Sequence, residues 1–274
     1  MSIDFGRFGI WRRVAEITPE LAADAERLGY GAVWVGGSPT GDLDSVEQLL
    51  EATERIPMAT GIVNMWREGP DIVAASYHRI QDRHPDRFVL GLGIGHPEST
   101  REYAKPYQFM VDYLDRVDAA GVPADRLLLA ALGPRVLTLS AERTVGAHPY
   151  LTTPRHTRLA REVMGEGPLL APEQKVILDT DVERARAVGR ENVARYLRLV
   201  NYRNNLLREG WAETDLADGG SDTLVDALIL HGEVPKVAEG ITAHLEAGAD
   251  HVCIQVLGGD PIEGQRRLAE VLLD

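Results

Sequence analysis

Cysteine is almost absent from this chain of 274 residues, in which Cys253 is the only one. One thiol can neither form an internal disulfide nor build a cysteine-rich zinc site. Cys253 stands in a short apolar run, so we expect it to be a small residue of the core. The spacings H-x-x-H and H-E-x-x-H are also missing, and we therefore expect no metal ion at the functional site.

Long hydrophobic segments are missing as well. No apolar run approaches the ~18 residues that a membrane-spanning helix needs. The start of the chain has no apolar stretch of the kind found in secretory signals. These two absences predict a cytoplasmic protein that does not interact with membranes.

Positive charge is in deficit, with 29 lysine and arginine residues against 42 aspartate and glutamate residues and a formal net charge of −13. Nucleic acids bind to basic surfaces, so we expect no nucleic-acid partner. A phosphorylated small molecule is compatible with this charge, because a few amide groups and cations suffice to hold it. The apolar residues, 44% of the chain, are enough for a sizeable core.

Short apolar runs alternate with amphipathic helical patterns along almost the whole chain. We expect strands at Gly6–Trp11, Ala32–Val35, Pro57–Asn64, Phe88–Leu92, Leu127–Leu132, Gly146–Leu151, Lys175–Leu178 and His251–Val256. We expect helices at Pro19–Leu28, Leu43–Arg55, Pro70–Arg83, Pro106–Ala120, Pro134–Arg143, Pro154–Met164, Val182–Leu199 and Pro261–Leu273. No linker divides residues 1–274, and the alternation predicts one α/β domain, a (β/α)8 TIM barrel.

The segment Asn201–His231 does not fit this alternation. It is too long for a simple loop, and we expect an extra helical excursion there, before the last strand. A doubly wound open sheet is the alternative fold, because it also alternates strands with helices. Such sheets rarely continue through eight units without a change in composition, which favours the barrel.

The apolar run Phe88–Leu92 leads directly into Gly93, Gly95 and His96. Glycines after a buried strand let a flat ligand or a phosphate approach the backbone, and histidine is well suited to move a proton near neutral pH. The spacing differs from the dinucleotide-binding pattern G-x-G-x-x-G, whose last place is taken by His96. Barrel active sites lie at the C-terminal ends of the strands, so this stretch is the first candidate for the site.

Three side chains are candidates for a catalytic role in proton transfer. His96 follows the fourth strand, and His148 and Tyr150 follow the sixth. Residues two apart in an extended chain face the same side, so His148 and Tyr150 both point into the predicted barrel mouth. The alternative interpretations are a hydrogen-bonded loop histidine at His96 and two residues that cap the core.

The next predicted helix begins with three more polar residues, Arg155, His156 and Arg158. They are candidates for contact with a phosphate or with the acidic tail of a cofactor. Solvated charges on a helix surface are the more common explanation for such a group.

Several sequence blocks identify a family resemblance: Leu28–Val35, Thr60–Asn64 with the helix from Pro70, Arg83–Gly93, Ala130–Pro134, and Ala247–Val252 near the end. In these blocks the chain resembles the luciferase-like monooxygenase superfamily, and within it the oxidoreductases that use the deazaflavin coenzyme F-420. The blocks cover most of the first half of the chain. They are specific for the superfamily and less specific for the cofactor, and they carry almost no information about the substrate.

The resemblance implies a (β/α)8 barrel that holds the cofactor ring over a bulge in the third strand. In the deazaflavin branch this bulge contains a non-proline cis peptide bond, whose counterpart here is Gly61-Ile62, so that Ile62 backs the ring. The family binds the cofactor phosphate after the fifth strand, where this chain has residues 132–135; an ordinary loop entering a helix is the alternative there. The resemblance thus implies cofactor binding by Gly36, Thr60, Gly61, Ile62, Asn64, Gly93, Gly95, Ala131, Leu132, Gly133, Pro134 and Arg135.

The chain departs from the deazaflavin-dependent sugar-phosphate dehydrogenases of this superfamily at two places. Those enzymes carry an Asp-His pair after the second strand, where this chain has Gly37 and Ser38. They carry a glutamate after the fourth-strand glycines, where this chain has His96. Their acid-base pair is absent, so we do not expect their sugar-phosphate substrate.

The function that follows is the transfer of a hydride between coenzyme F-420 and an unidentified small organic substrate, with His96 as the proton partner and His148 or Tyr150 as alternates. The first alternative is a monooxygenase that uses FMN and molecular oxygen. The second is a barrel that binds a ligand without catalysis, because the acid-base pair is missing. The resemblance also implies a homodimer.

Overall fold

The structure is a computed structural model that describes residues 3–99 and 105–273. Within these residues, parallel strands form a cylinder that helices surround, so the predicted α/β TIM barrel is confirmed. The strands are β1 (Phe8–Arg13), β2 (Ala32–Gly36), β3 (Met58–Gly61), β4 (Val63–Asn64), β5 (Phe88–Gly93), β6 (Leu127–Leu129), β7 (Gly146–Ala147), β8 (Leu169–Leu170), β9 (Glu173–Ile177), β10 (Ile229–His231) and β11 (Val252–Val256).

The α-helices follow the strands along the chain. They are α1 (Pro19–Leu28), α2 (Asp44–Glu51), α3 (Pro70–Arg83), α4 (Pro106–Ala119), α5 (Pro134–Arg143), α6 (Pro154–Met164), α7 (Val182–Tyr196), α8 (Val200–Glu209), α9 (Asp222–Leu228), α10 (Val234–Glu246) and α11 (Pro261–Leu272). None of these described helices combines the length and the apolar character that crossing a membrane requires.

The sheet closes on itself through one stretch of chain. β1 pairs with β2 on one side and with β11 on the other, and the pairing continues through β3, β5, β6 and β7. β8 and β9 are two parts of one stretch, separated by Ala171 and Pro172. The amide of Ala171 donates to the carbonyl of Ala147 in β7, and the amide of Cys253 in β11 donates to the carbonyl of Pro172. This stretch therefore joins both sides of the sheet.

Four helices match the predicted bounds residue for residue: α1, α3, α5 and α6. Each begins with a proline, whose fixed φ suits the first helical position and whose missing N–H is not needed there. These prolines are Pro19, Pro70, Pro134 and Pro154. Before α6, the hydroxyl of Thr153 also accepts a hydrogen bond from the amide of His156. Such boundary signals are local, which is why the sequence alone reveals them.

α4 and α11 end one residue earlier than predicted, and α2 and α7 end several residues earlier. α2 ends at Glu51 instead of Arg55, because the hydroxyl of Thr53 donates to a carbonyl of the last turn and satisfies the helix end. α7 ends at Tyr196 instead of Leu199. Leu199 has extended backbone angles and precedes the first residue of α8.

The excursion predicted at residues 201–231 contains more than helices. α8 and α9 are helical as expected, but Ile229–His231 form β10, which pairs with β9. α10 then follows, so the chain adds one strand-helix unit before β11 that the periodicity did not predict. A strand of three residues is too short to show an alternating pattern.

β6 and β7 are also shorter than predicted, because the chain leaves the sheet there to line the barrel mouth.

Aromatic side chains fill the barrel interior near the N-terminal ends of the strands. The rings of Phe5 and Trp34 stack with their centroids 5.5 Å apart. The indole nitrogen of Trp34 donates to Nε2 of His251 at 3.0 Å, and Nδ1 of His251 donates to the carbonyl of Gly6 at 2.9 Å. Burial lowers the pKa of His251 to about 4, so this ring is neutral at pH 7.

Glu26 on α1 holds the chain where it approaches β3. Its carboxylate accepts hydrogen bonds from the amides of Glu54, Arg55 and Ile56, with N···O distances between 2.6 and 3.2 Å. Burial by itself raises the pKa of Glu26, but the three donors outweigh burial and leave the pKa below its usual value. The contact fixes the direction in which the third strand enters the barrel.

We expect Glu26→Gln to lower the free energy of unfolding at pH 7 by about 1 kcal/mol, because an amide accepts these bonds more weakly than a carboxylate. The stabilisation by Glu26 is complete above its usual pKa of 4.5 and is lost as the pH falls through the lower folded-state pKa. The difference in the free energy of unfolding between the unmodified protein and Glu26→Gln should therefore become smaller as the pH falls. Urea unfolding at several pH values measures it, with Glu239→Gln at an exposed position of α10 as the control. Equal losses in both variants would contradict this role.

Candidate active site

A cavity of about 770 Å³ lies at the C-terminal ends of the barrel strands. Its wall contains residues that end or follow β1, β3, β5, β6, β7 and β11, and side chains of α7 and α8 form the outer side. TIM barrels carry their active sites at this end of the strands, and the volume suits a small-molecule ligand. The cavity is therefore the candidate active site.

Most residues predicted from the sequence lie together in the wall of this cavity: Gly61, Ile62, Asn64, Gly95, His96, Ala131, Leu132, Gly133, His148 and Tyr150. They come from separate strand ends, which the closed barrel brings to one rim.

Three other predicted residues, Gly36, Gly93 and Thr60, lie behind the cavity wall and determine how its side chains pack. A Cβ at Gly36 would collide with the ring of Trp11, and a Cβ at Gly93 would lie 2.9 Å from Ile62. Both glycines therefore make room for side chains that line the cavity. The hydroxyl of Thr60 donates to the carbonyl of Gly91 and accepts from its amide, both at 2.8 Å. Thr60 thus joins the third strand to β5 below the site.

The third strand is interrupted between β3 and β4. The peptide bond between Gly61 and Ile62 is cis, as the resemblance implies, and Ile62 lines the cavity. Asn64 follows, and its Oδ1 atom accepts a hydrogen bond from the amide of Trp66 at 2.9 Å. A Cβ at Gly95 would lie 2.5 Å from Nδ2 of Asn64, so Gly95 leaves room for this side chain.

The start of α5 forms a cradle for an anion beside the cavity. Pro134 is the first residue of the helix, and Gly133 before it has extended backbone angles and no side chain. A Cβ at Gly133 would lie 3.8 and 3.9 Å from the two terminal guanidinium nitrogens of Arg208. The side chain of Arg135 instead stacks on Tyr107, with 4.1 Å between its guanidinium carbon and the ring centre. Arg208 thus faces the place where we expected the charge of Arg135.

The mouth of the cavity is positively charged. Arg13, Arg67, Arg195 and Arg208 line it, and Glu16 is the one carboxylate among the described lining residues. All four arginines are exposed. In a chain with a net charge of −13, this local excess of positive charge favours an anionic ligand.

His96 lies on the loop after β5 and is held by α8. Its Nδ1 atom donates to Oδ1 of Asn201 at 3.0 Å, and its ring packs against Tyr202 with 5.3 Å between the centroids. The carboxylate of Glu98 accepts from the amide of Val200 at 2.9 Å, which attaches the same loop to the start of α8. Burial lowers the pKa of His96, which favours the neutral ring. With Nδ1 engaged, Nε2 is the atom left for a ligand.

His148 lies deeper in the cavity and is 1% exposed. Its Nδ1–H donates to the carbonyl of Ala171 at 2.7 Å, and its ring stacks on Trp34 with 4.6 Å between the centroids. Burial lowers the pKa of His148 to about 4, so the ring is neutral at pH 7 and Nε2 carries a lone pair. His148 is therefore a rigid hydrogen-bond acceptor and a weak base.

Tyr150 lies over a buried ion pair. The Nζ atom of Lys175 is 2.8 Å from a carboxylate oxygen of Glu173, and it lies 3.7 Å from the centre of the Tyr150 ring. The hydroxyl of Tyr150 is 2.8 Å from that of Tyr196 and donates to Oε1 of Gln255 at 3.2 Å. Burial raises the pKa of Tyr150 well above its usual value, so the phenol stays protonated.

The remaining candidates lie outside the described wall of the cavity. His156 is buried, and its Nε2 atom is 3.0 Å from the carbonyl of Leu132, so it supports the cradle loop from behind. Arg155 and Arg158 are exposed on α6. Cys253 is buried in β11, as expected of a core residue.

The described residues contain no cluster of histidine, cysteine and carboxylate side chains placed to hold a metal ion.

Sequence reasoning missed part of the site. The unforeseen lining residues include Trp11, Arg195, Tyr196, Asn201, Tyr202, Arg208 and Gln255. Most of them lie on α7 and α8, in or beside the segment whose pattern did not fit the alternation. The signal that could have revealed them is composition, because the segment combines tyrosine, asparagine and arginine in a stretch too long for a loop.

The family of the chain follows from a comparison of sequences. A sequence profile of luciferase-like monooxygenases matches residues 12–251. The chain belongs to this family. It is therefore an oxidoreductase of the luciferase-like monooxygenase type. No curated protein sequence matches the chain significantly.

Solved structures share the fold at low sequence identity. A coenzyme F-420-dependent secondary alcohol dehydrogenase, in complex with an F-420–acetone adduct, is 15% identical, with a TM-score of 0.75 over 97% of this chain and 98% of its own. The F-420-dependent tetrahydromethanopterin reductase of Methanopyrus kandleri is 15% identical, with a TM-score of 0.72 over 98% of both chains. The oxygenating constituent of 3,6-diketocamphane monooxygenase from Pseudomonas putida, in complex with FMN, is 14% identical, with a TM-score of 0.67 over 99% of this chain and 96% of its own.

The ion pair beneath Tyr150 generates a stability prediction. Burial raises the pKa of Glu173 and lowers that of Lys175, and their mutual attraction opposes both shifts. Lys175→Met should lower the free energy of unfolding by about 3–5 kcal/mol, because it leaves a buried carboxylate unpaired. The double variant Glu173→Gln with Lys175→Met should recover most of this loss. Urea unfolding of the three proteins provides the measurement; a double variant no more stable than Lys175→Met would contradict the pairing.

Proposed function

We propose that this protein transfers a hydride between coenzyme F-420 and a small organic substrate in the cavity at the barrel mouth. The observation that carries the proposal is that one cavity combines the apolar surface of Ile62 with the anion cradle of Gly133 and Arg208. A molecule that joins a flat ring to a phosphate needs both. Two of the similar solved structures are F-420-dependent enzymes, which supports the choice of cofactor.

The residues present fit such a cofactor at three places. Ile62 forms the surface on which we place the ring. The open space over Gly133, which a side chain would fill, takes the phosphate, and the guanidinium of Arg208 balances its charge. Arg13 and Arg195 at the mouth suit the longer anionic chain that distinguishes F-420 from FMN.

When bound, a 5-deazaflavin exchanges a hydride with the substrate at a ring carbon. The protein orients the substrate and limits the access of water. We assign the accompanying proton to Nε2 of His96, because Asn201 holds the other ring nitrogen and the side chain lines the cavity. His148, with a pKa of about 4, and Tyr150, with a raised pKa, are less suited to exchange a proton near pH 7.

FMN is the second candidate cofactor, because one similar structure is an FMN complex and the same cradle suits its phosphate. Fluorescence titration of the purified protein with F-420, and separately with FMN, distinguishes the two. We expect F-420 to bind at least about tenfold more tightly, because the arginines at the mouth add contacts to its anionic chain. Tight binding of FMN alone would shift the function to an oxygen-using monooxygenase, and binding of neither would favour a barrel without catalysis.

Arg208→Gln should weaken F-420 binding by about tenfold and make the Kd less sensitive to salt, because the variant removes the charge that faces the cradle. The same fluorescence titration at two salt concentrations tests this. Arg158→Gln, which makes the same change in charge at an exposed position of α6, is the control. Equal weakening in both variants would indicate an effect of net charge and contradict a specific contact.

His96→Ala should slow turnover by about 10²–10⁴-fold and change the Kd of F-420 by less than about threefold, because it removes a proton partner and leaves the ring and phosphate contacts in place. A screen of small organic substrates with F-420 supplies the assay. His78→Ala, an exposed histidine on α3, is the matched control. Turnover equal to that of the unmodified protein would exclude His96 from the mechanism.

A further inference from the structure

Two buried nitrogen atoms at the inner end of the cavity have no hydrogen-bond partner among the described residues: Nε1 of Trp11 and Nε2 of His148. The two side chains are 3% and 1% exposed, and both line the cavity. A buried polar atom without a partner costs free energy, so such atoms are rare and need an explanation. Two such nitrogens beside each other in one cavity wall mark a place where a bound group can supply the missing bonds.

The two nitrogens converge on the open face of Gly61. A Cβ at this glycine would lie 2.8 Å from Nε1 of Trp11 and 2.9 Å from Nε2 of His148. The nitrogens are therefore close enough for one ligand atom to contact both. A side chain at Gly61 would collide with both, so the glycine allows the two nitrogens to lie together in the cavity wall.

The chemistry of the two atoms is complementary. The indole Nε1–H of Trp11 can only donate a hydrogen bond. Nε2 of His148 can only accept one, because Nδ1–H of the same neutral ring donates to the carbonyl of Ala171. A hydroxyl group satisfies both, since its oxygen accepts while its hydrogen is donated. A ketone or ether oxygen would leave His148 without a partner.

Both side chains are held in place by packing. The ring of Trp11 lies against Gly36 and has its centroid 5.2 Å from that of Tyr150. The ring of His148 stacks on Trp34 with an interplanar angle of 18°. Because the donor and the acceptor are already fixed, binding costs little side-chain entropy. The pair therefore selects a ligand whose polar group can accept one hydrogen bond and donate another.

We propose that Trp11 and His148 bind a hydroxyl group of the substrate and thereby select hydroxylated organic molecules. The proposal rests on the proposed function only in taking this ligand to be the substrate of the hydride transfer. The two residues position the substrate, and the proton partner stays His96. The paired C=O and N–H edge of a ring cofactor presents the same pattern of acceptor and donor, so the experiment must distinguish these two sources.

NMR of the ¹⁵N-labelled protein without cofactor observes both atoms directly. The indole resonance of Trp11 is assigned by its loss in Trp11→Phe, and the Nε2 resonance of His148 by its loss in His148→Gln. The probes are cyclohexanol, cyclohexanone and, separately, F-420. We expect cyclohexanol to shift both resonances and cyclohexanone to shift that of Trp11 alone, because only the alcohol can donate to His148.

Two results would overturn the proposal. If cyclohexanol shifts neither resonance, the pair does not bind hydroxyl groups. If F-420 shifts the resonances of both Trp11 and His148, and cyclohexanol shifts neither of them with or without F-420, the two nitrogens bind the cofactor and not the substrate. A protein that fails to bind F-420 but responds to cyclohexanol would contradict the proposed function and leave the hydroxyl site intact, so the two failures are distinguishable.

A variant provides a second readout. Trp11→Phe keeps an aromatic ring against Gly36 and removes the N–H donor, so it should weaken cyclohexanol binding by about five- to tenfold and change the Kd of F-420 by less than about twofold. Trp211→Phe, at a half-buried tryptophan outside the described cavity wall, is the control. Unchanged affinity for cyclohexanol in Trp11→Phe would exclude the donor from the site.

Discussion

The hydrogen bonds on both sides of residues 169–177 are the contact on which the rest of the barrel depends. This stretch pairs with β7 through one edge and with β11 through the other, and so closes the sheet. Closure brings the C-terminal ends of the strands to one rim, where the candidate site lies. The same stretch supplies the carbonyl of Ala171 that orients His148 and the ammonium of Lys175 beneath Tyr150. Barrel closure and the geometry of the site therefore have a common origin.

Burial, more than residue type, separates the roles of the histidines. His251 and His244 are fully buried, both of their ring nitrogens are engaged, and burial lowers their pKa values to about 4 and about 3. His148 is equally buried but has only one nitrogen engaged, which leaves an acceptor aimed at the cavity. His96 is half-buried at the loop and lines the cavity. One residue type thus serves in the core at His251 and His244, and in our proposals it serves as a positioning group at His148 and as a proton partner at His96.

The distribution of charge matters more to the site than the total charge. The acidic composition argues against a polyanionic partner, yet the exposed arginines at the mouth form a local positive field. Two of them, Arg195 and Arg208, lie on α7 and α8, and α8 also carries Asn201, the partner of His96. α8, which departs from the regular alternation, and α7 beside it therefore supply much of the charged and polar surface of the cavity. The regular strand-helix units of the barrel form the cavity in which these side chains lie.

The sequence by itself determined the alternation of strands and helices, the starts of helices at Pro70, Pro134 and Pro154, and the strand ends that line the cavity. These features depend on residues close together in the chain, whose apolar spacing and backbone preferences can be read directly. Only the tertiary structure decided that Trp11 meets His148 over Gly61, that Arg208 faces Gly133 and that α8 holds His96. Each of these contacts joins segments far apart in sequence, and periodicity carries no information about which distant side chains meet once the sheet has closed.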